Sequence, residues 1–443
     1  MNPGYRILAQ GRTVSNDTWK TGINNNDCII GPSGCGKTRG YVAPNILQCT
    51  ESMIIADSKG ALRQAVGKTL ERNGYEVLEI NLKDCVHSPC GYDPLRYIRY
   101  DRQMGHYNEQ DIMTVAAAIV PVENGQEAFW DLFARMFMAS MISYVLEYLP
   151  EEEHVMPSVV RLFGEMGNGN FDRIFKELNQ IAPYSFSATL YRMYQTSRSA
   201  DKMYSSVQGV LAEKLVLFVF DGAKRLSTNP VQIDLPSLGR KKTAVFLSIS
   251  DTDDTMNRLV SLFYAQALHI LCDCADRNEG HRLDVPVRFY LDDFAAATDA
   301  CIPGFDGITS VIRSREISVS IILQSLSQLE ASYGPARAAT ILNNCDNLLY
   351  LGGQDVETAR YISVKANKSI HTVLNMPLDS AWLFTRGNAP QEVAKFRLQE
   401  HPKYKELPEY KAQHRKARKK PPVKTAGRDR ADDGPGTELQ QVS

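Results

Sequence analysis

Apolar and polar positions alternate in different ways along the 443 residues of this chain. From residue 27 to about residue 100, short apolar runs are separated by an amphipathic stretch. This pattern predicts parallel strands that are joined by crossover helices. The strands predicted in this part are residues 28–30, 52–57 and 76–81, and the predicted helix is residues 61–73.

The middle of the chain has a helical pattern instead. Between residues 101 and 225 no convincing alternating strand interrupts the helical spacing of apolar positions. The helices predicted here are residues 111–120, 128–148, 156–166, 171–178 and 200–220. Aromatic residues at helical spacing, which are predicted to lie in the core, are Phe129, Trp130, Phe133 and Phe137. This part is therefore predicted to be an inserted all-alpha domain.

Strand patterns return in the last part of the chain. The strands predicted there are residues 243–250, 288–292, 317–323, 347–351 and 381–385. The helices predicted between them are residues 255–276, 305–313, 336–343 and 356–364. The predicted fold class is α/β, with one discontinuous nucleotide-binding domain (residues 1–100 and 226–410) and an all-alpha domain (residues 101–225) inserted into it.

Composition places the chain among soluble globular proteins. It is 43% hydrophobic and 23% charged, and it is long enough for two domains. The net charge of −1 gives no overall attraction to nucleic acid or to anionic membranes, so any such surface must be local. The nine cysteines lack the paired spacing of a zinc site, which favours reduced thiols in a cytosolic protein.

Two further patterns concern membranes and the C-terminal end. No stretch approaches the roughly 20 apolar residues that cross a bilayer, and residues 1–20 have no signal-peptide core, so a cytoplasmic protein is expected. Residues 411–443 begin with a basic run and have few apolar residues, so they are predicted to be a disordered basic tail. Such a tail either binds DNA or acidic lipid head groups or is simply solvated.

The strongest chemical signal is a complete phosphate-binding loop directly after the first predicted strand. It fits the pattern G-x-x-x-x-G-K-[ST], and its residues are Gly31, Pro32, Ser33, Gly34, Cys35, Gly36, Lys37 and Thr38. Glycines let the backbone approach phosphate closely, and the loop N–H groups face the anion. Lys37 is predicted to reach the β- and γ-phosphates, and the Thr38 hydroxyl is predicted to ligate Mg²⁺. The chain is therefore predicted to bind a nucleoside triphosphate.

Two carboxylates end a second apolar strand. Asp292 and Asp293 follow residues 288–291, as expected for a phosphate-loop ATPase in which one carboxylate supports Mg²⁺ and the next polarises the attacking water. The alternative is that the two aspartates only cap the following helix.

An arginine pair and a glutamine flank the strand predicted at residues 317–323. Gln324 follows this strand, at the edge where nucleotide crevices form, and there its amide can sense the γ-phosphate. Arg313 and Arg315 precede the strand, and either of them could reach the nucleotide of an adjacent subunit. A surface ion pair or a DNA contact is an equal alternative for these arginines.

Two weaker signals concern phosphate and nucleic acid. Lys59, which follows the second predicted strand, is either a phosphate or DNA contact or a plain turn lysine. Aromatic and basic residues alternate in one helical stretch, which suits either single-stranded nucleic acid or a half-exposed helix face. They are Tyr191, Arg192, Tyr194, Arg198, Lys202 and Tyr204.

These residues together resemble a known family, the type IV coupling proteins of bacterial conjugation and type IV secretion, which are related to septal DNA translocases. The likeness covers about residues 25 to 400. The matching segments are residues 31–45, 57–60, 92–95, 291–294, 313–315, 321–329, 344–345 and 351–352. The Gln-Ser-x-Ser-Gln-Leu block and the interval from Arg313 to Gln324 are narrower signals than the phosphate loop.

The resemblance implies a RecA-like motor domain capped by an all-alpha domain, in hexamers that form a channel for single-stranded DNA with ATP sites between subunits. It implies that Lys37 and Thr38 hold the phosphates and Mg²⁺ and that Asp292 supports the metal. By the same resemblance, Asp293 is the hydrolytic carboxylate, Gln324 senses the γ-phosphate and Arg313, rather than Arg315, is the trans-acting arginine.

The sequence departs from the family pattern in two ways. The family usually has glutamate at the position of Asp293, and the shorter aspartate puts efficient hydrolysis in doubt. The family also usually begins with membrane-spanning helices, which this sequence does not show. A separate membrane protein is therefore expected to recruit it to the inner face of the cell membrane.

Three hypotheses for function stay open at this level. The first is an ATP-driven DNA translocase that delivers a relaxase–single-stranded DNA complex to a type IV secretion channel. The second is a non-catalytic, ATP-binding docking platform for secretion substrates. The third is a phosphate-loop DNA-handling ATPase of another system, for packaging or chromosome translocation.

Overall fold

The computed structural model describes residues 4–122, 128–196, 201–294 and 301–412. Residues 413–443 of the predicted basic tail lie outside the described residues. The same holds for Arg198 and for the side chains of Lys202 and Tyr204, so the nucleic-acid interpretation of these three residues stays a prediction.

The strands fall into two blocks, with helices between them. The first block contains β1 (Tyr5–Ala9), β2 (Arg12–Ser15), β3 (Asp27–Ile30), β4 (Ser52–Ala56), β5 (Glu76–Asn81), β6 (Tyr100–Asp101) and β7 (His106–Tyr107). The second block contains β8 (Thr243–Ser248), β9 (Val287–Leu291), β10 (Ile317–Leu323), β11 (Asn347–Tyr350), β12 (Ser380–Thr385) and β13 (Gln391–Ala394).

Among the described residues, the two blocks meet in one nine-stranded sheet. Its order is β13-β12-β11-β3-β10-β9-β4-β8-β5. The pairs from β11 to β5 are all parallel, and β12 and β13 add antiparallel pairs at one edge. The predicted parallel strands are present, whereas the hairpin of β1 with β2 and the strand β13 were not predicted. The short pair of β6 with β7 was not predicted either, so the expectation of no strand between residues 101 and 225 is wrong at its start.

Helices cover the sheet and form the middle of the chain. Those before and within the middle part are α1 (Thr18–Thr21), α2 (Ala43–Ile46), α3 (Ala61–Arg72), α4 (Glu109–Ile119), α5 (Ala128–Tyr148), α6 (Met156–Gly164), α7 (Asn170–Ile181), α8 (Phe186–Gln195), α9 (Asp201–Leu215) and α10 (Asp221–Ser227). Those after it are α11 (Asn257–Arg277), α12 (Phe305–Thr309), α13 (Leu326–Tyr333), α14 (Pro335–Asn343), α15 (Val356–Ala366) and α16 (Ile370–Leu374). The prediction that one helix continues to residue 313 is wrong, since α12 ends at Thr309.

The inner strands of the sheet are buried on both faces, as is typical of parallel strands with helices on both sides. They are β3, β4, β8, β9, β10 and β11. Alternate residues of each strand face opposite sides, as Ile29 and Ile30 do in β3. One face packs on α11 and the helical part of the chain. The other face packs on the helix after β3 and on the C-terminal segment around Leu398 and Tyr404. The C-terminal segment therefore lies on the same side as the phosphate loop helix.

The helical part is built around α5, which packs against α4, α8 and α9. In the part of the chain that the structure describes, one helical stretch, Phe129–Tyr148, is long and apolar enough to cross a membrane. By length and composition alone, the expectation from the sequence that no stretch could cross a bilayer is therefore wrong. About 61% of the stretch is buried inside the protein, which is how the core helix of a folded domain also behaves.

Aromatic side chains fill the core of this helical part. Phe137 stacks on Tyr194 with ring centroids 4.1 Å apart, and Tyr191 packs on Phe175. Because both tyrosines are buried, their rings do not offer a stacking surface for nucleic acid. Phe137 lies in the core as predicted, but the prediction is wrong for Phe129, which is half exposed.

A buried aspartate ties the helical part to the sheet domain. Asp93 lies where the chain leaves the sheet, and its carboxylate accepts hydrogen bonds from the N–H groups of Leu95 and Met156, each at 2.9 Å. Met156 begins α6, so this carboxylate connects the two parts directly. The domain limits at residues 100 and 225 stay a prediction.

Candidate nucleotide-binding site

The phosphate loop lies where the sequence predicts it, between β3 and the helical turns that follow. Gly34 and Gly36 have φ angles of +78° and +100°, in the left-handed region that glycine adopts without strain. The Lys37 ammonium donates to the carbonyl oxygens of Gly31 at 2.7 Å and Pro32 at 3.3 Å. The loop is thus curled around a buried positive charge, as a phosphate site requires.

A wide helical turn follows the loop. Residues Thr38–Val42 form a π-helical turn in which the Ala43 N–H donates to the Thr38 carbonyl. Pro44 has no N–H, so it cannot donate the next α-helical hydrogen bond, which explains the wider turn at this point.

The two aspartates lie beside the loop because of strand order. β10 lies between β3 and β9, and all three strands are parallel, so their carboxyl ends share one edge. The Thr38 hydroxyl donates to a carboxylate oxygen of Asp292 at 3.3 Å. Burial, and then the charge of Asp293, raises the pKa of Asp292 to about 6. Thr38 and Asp292 therefore form an oxygen pair that could hold Mg²⁺.

Asp293 and Gln324 complete this edge of the sheet. Asp293 has a φ of +50°, and its N–H donates to Asp292 Oδ1 at 3.1 Å. Gln324 directly follows β10, and its amide nitrogen donates to Asp293 Oδ1 at 3.3 Å. A carboxylate and an amide thus face each other next to the phosphate loop.

The predicted arginines lie at the opposite end of the sheet. Arg313 precedes β10 and donates to the Thr18 carbonyl at 3.1 Å, and Arg315 forms a two-fold contact with Asp276 at 2.8 and 2.9 Å. The seven residues of β10 separate them from Gln324, which is about 20 Å at 3.3 Å per residue. Within one chain, neither arginine joins the phosphate loop, so a role for Arg313 in a neighbouring subunit stays a prediction.

Asp57 and Lys59 follow β4 at the same edge as the loop. The Asp57 carboxylate accepts from the N–H groups of Leu62 at 3.3 Å and Arg63 at 2.8 Å, so it caps α3. Lys59 is exposed next to it, and its phosphate or DNA role stays a prediction.

Two contacts to the loop region were missed by sequence reasoning. The Lys395 ammonium, directly after β13, donates to the carbonyl oxygens of Cys35 at 3.2 Å and Leu351 at 2.9 Å. Arg39, directly after the loop, pairs with Glu409 through two contacts of 2.9 Å. Both partners lie more than 350 residues away in sequence, and neither has a local motif that would reveal it.

Comparison with known proteins identifies the family. The sequence profile of the family described as Type IV secretory system Conjugative DNA transfer matches residues 4–401. The chain belongs to this family.

Curated proteins called VirD4 are among those that this chain resembles. Protein VirD4 of Rhizobium radiobacter is 24% identical over 339 residues, which are 76% of this chain and 47% of VirD4. The chain therefore spans about half the length of this curated relative.

Two solved structures share the fold. The plasmid coupling protein TrwB in complex with the non-hydrolysable ATP analogue ADPNP has a TM-score of 0.66 and 17% identity, over 89% of this chain and 94% of that chain. TrwB in complex with ADP and Mg²⁺ has a TM-score of 0.60 and 17% identity, over 84% and 85%. The predicted α/β class, a RecA-like P-loop core with an inserted all-alpha domain, is confirmed.

Proposed function

We propose that this chain is an ATP-driven DNA translocase that delivers a relaxase–single-stranded DNA complex to a type IV secretion channel. The observation that supports this best is the convergence of loop, acid and amide at one sheet edge. Lys37 lies in the loop after β3, and Asp292 and Asp293 directly follow β9. Gln324 directly follows β10, the strand between β3 and β9. This is the set that a phosphoryl-transfer site needs for binding, metal support and orientation of water.

ATP and Mg²⁺ are the proposed cofactors. The TrwB structures that share this fold hold an ATP analogue in one case and ADP with Mg²⁺ in another. In this chain, Lys37 would hold the phosphates, and Thr38 and Asp292 would hold the metal, which neutralises charge on the β- and γ-phosphate oxygens when it is bound. Asp293 is the proposed hydrolytic carboxylate and Gln324 the proposed γ-phosphate sensor.

A ring of several copies, proposed as a hexamer, would complete the site. Arg313 lies at the end of the sheet opposite the phosphate loop, so it could serve the nucleotide of a neighbouring copy rather than that of its own chain. Other proposed partners are single-stranded DNA, the relaxase, and a separate membrane protein at the inner face of the cell membrane.

The test is ATP turnover by the purified chain with and without single-stranded DNA. We expect hydrolysis that DNA stimulates and that Lys37→Ala abolishes. Lys68→Ala is the matched control, because it removes an exposed lysine from α3 and should leave turnover unchanged. A purified oligomer without DNA-stimulated turnover would refute the translocase.

A second candidate is a non-catalytic docking platform that binds ATP and receives secretion substrates. The observation that favours it is the state of Asp293. Its side chain is one methylene shorter than glutamate, and it already accepts a hydrogen bond from the Gln324 amide, so it is less available to polarise a water molecule. Nucleotide binding by the wild type without turnover, together with a large gain of turnover in Asp293→Glu, would support this candidate over the translocase.

A further inference from the structure

A lysine from the C-terminal segment lies directly behind the phosphate loop. Lys395 follows β13 and is half buried. Its ammonium donates to the Cys35 carbonyl within the loop at 3.2 Å. It also donates to the Leu351 carbonyl at 2.9 Å, just beyond β11. One cation thus bridges the loop and the neighbouring strand end.

The contact at Cys35 affects the inner surface of the loop. The Cys35 carbonyl and the Gly36 N–H belong to the same peptide group, so fixing the carbonyl also fixes the direction of the N–H. In a phosphate loop these N–H groups face the anion. A cation on the carbonyl side polarises the peptide and makes its N–H a stronger donor.

The contact at Leu351 fixes the lysine in turn. The Leu351 N–H donates to the Ile30 carbonyl at 2.8 Å, and Ile30 is the last residue of β3, from which the loop begins. Lys395 therefore holds the middle of the loop at a set distance from the start of the loop.

The charge of Lys395 also acts on the loop. Burial raises the pKa of the Cys35 thiol, and the positive charges of Lys37 and Lys395 oppose that rise. Two ammonium groups thus act on the same loop residue, and they contact different carbonyl groups of the loop. Both favour an anion in the loop.

We propose that Lys395 is a positioning residue for the triphosphate, which it serves by fixing the Cys35–Gly36 peptide and by adding a second positive charge to the site. This inference rests on the proposed function, since it assumes that the loop binds a nucleotide. Lys395 acts through the loop backbone and is not expected to take part in hydrolysis itself.

The test compares binding of ADPNP with Mg²⁺ to the wild type and to Lys395→Met. We expect the Kd to rise about tenfold, which corresponds to about 1.4 kcal/mol. At saturating ATP, kcat should stay within about twofold while KM rises, because the lysine supports binding rather than chemistry. Lys395→Arg, which keeps the charge and N–H donors, should recover most of the affinity. Arg397→Met removes an exposed cation two residues away and should bind as the wild type does.

A Kd for Lys395→Met within twofold of the wild-type value would overturn the proposal, and so would an equal loss in Arg397→Met. If Lys395→Met does not fold, Lys395→Gln, which keeps an amide donor without the charge, is judged by the same thresholds. Failure of the proposed function gives a different result: without DNA-stimulated turnover the comparison of ADPNP affinities still applies, and if the loop binds no nucleotide at all, the wild type fails to bind ADPNP just as Lys37→Ala does.

Discussion

The Gln324 side chain donates a hydrogen bond to Asp293, with the amide nitrogen 3.3 Å from Oδ1. This contact joins the ends of β10 and β9 beside the phosphate loop. The proposed sensor and the proposed hydrolytic carboxylate therefore contact each other, and a γ-phosphate or a water that binds between them must compete with this bond.

The backbone at position 293 gives a reason for aspartate at this place. Its φ is +50°, a region that aspartate and asparagine enter more readily than glutamate. Under the translocase hypothesis, we expect Asp293→Glu to lower the free energy of unfolding by about 1 kcal/mol and to give no large gain in ATP turnover. Asp293→Asn should keep the stability and lose turnover. Urea unfolding and steady-state ATPase assays check both parts, and a tenfold gain of turnover in the glutamate variant would contradict this account.

Arg313 provides a prediction about subunits. Because it lies about 20 Å from Gln324 in the same chain, Arg313→Ala should leave the Kd for ADPNP within twofold while turnover of the oligomer falls at least a hundredfold. Mixing Arg313→Ala with Lys37→Ala subunits should restore part of the turnover, since one interface in such a ring can pair an intact loop with an intact arginine. Arg315→Ala, which removes the ion pair with Asp276 and a hydrogen bond to the Val311 carbonyl, is the control. No recovery in the mixture would exclude action across subunits.

The site was predictable wherever the signal was local or followed from strand order. The glycine spacing of the loop is local, and the carboxyl ends of parallel strands share an edge, which brings Asp292 and Gln324 to the loop. Lys395 was not predictable, since its contact with Cys35 spans 360 residues and depends on an unpredicted edge strand. For Tyr194 the sequence left two alternatives open, because alternating charge and aromatic rings do not reveal which face of a helix packs inward. Its burial agrees with a half-exposed helix face.

The fold also contains buried charges that the apolar pattern did not indicate. Arg288, on the inner strand β9, is fully buried, and its Nε lies 2.5 Å from a carboxylate oxygen of Glu51. Its guanidinium also donates to the Asn25 carbonyl at 2.9 Å and lies 3.6 Å from Asp27, at the start of β3.

Removing this arginine should destabilise the protein strongly. Arg288→Met leaves Glu51 buried without its partner, so we expect the free energy of unfolding to fall by about 3–5 kcal/mol. The double variant Arg288→Met with Glu51→Gln should recover part of the lost stability, because it also removes the unpaired buried charge of Glu51. Arg360→Met breaks an exposed pair with Glu357 and should cost less than about 0.5 kcal/mol. Chemical denaturation of the four proteins measures these values, and equal losses in the single and double variants would argue against an electrostatic cause.

His401 predicts how stability depends on pH in the C-terminal segment. It is buried, its Nδ1 accepts from the Lys403 N–H at 3.1 Å, and burial followed by the charge of Lys403 lowers its pKa to about 4. An unfolded histidine has a pKa near 6.5, so the unfolded chain binds more protons between these values. The stabilisation that comes from neutral His401 is therefore fully present above about pH 6.5. It is lost as pH falls towards 4, by up to about 1.4 kcal/mol per pH unit.

The variant His401→Asn tests this pH dependence. Asparagine keeps an acceptor for the Lys403 N–H and cannot titrate, so the unfolding free energy of the variant should decline less than that of the wild type over this range. Burial raises the pKa of Asp93 to about 6, so this carboxyl group adds stability as the pH falls below 6. Both proteins contain Asp93, so its contribution cancels in the difference between their unfolding free energies. Parallel pH profiles from urea titrations at pH 7.5 to 4.5 would show that His401 is not the group responsible.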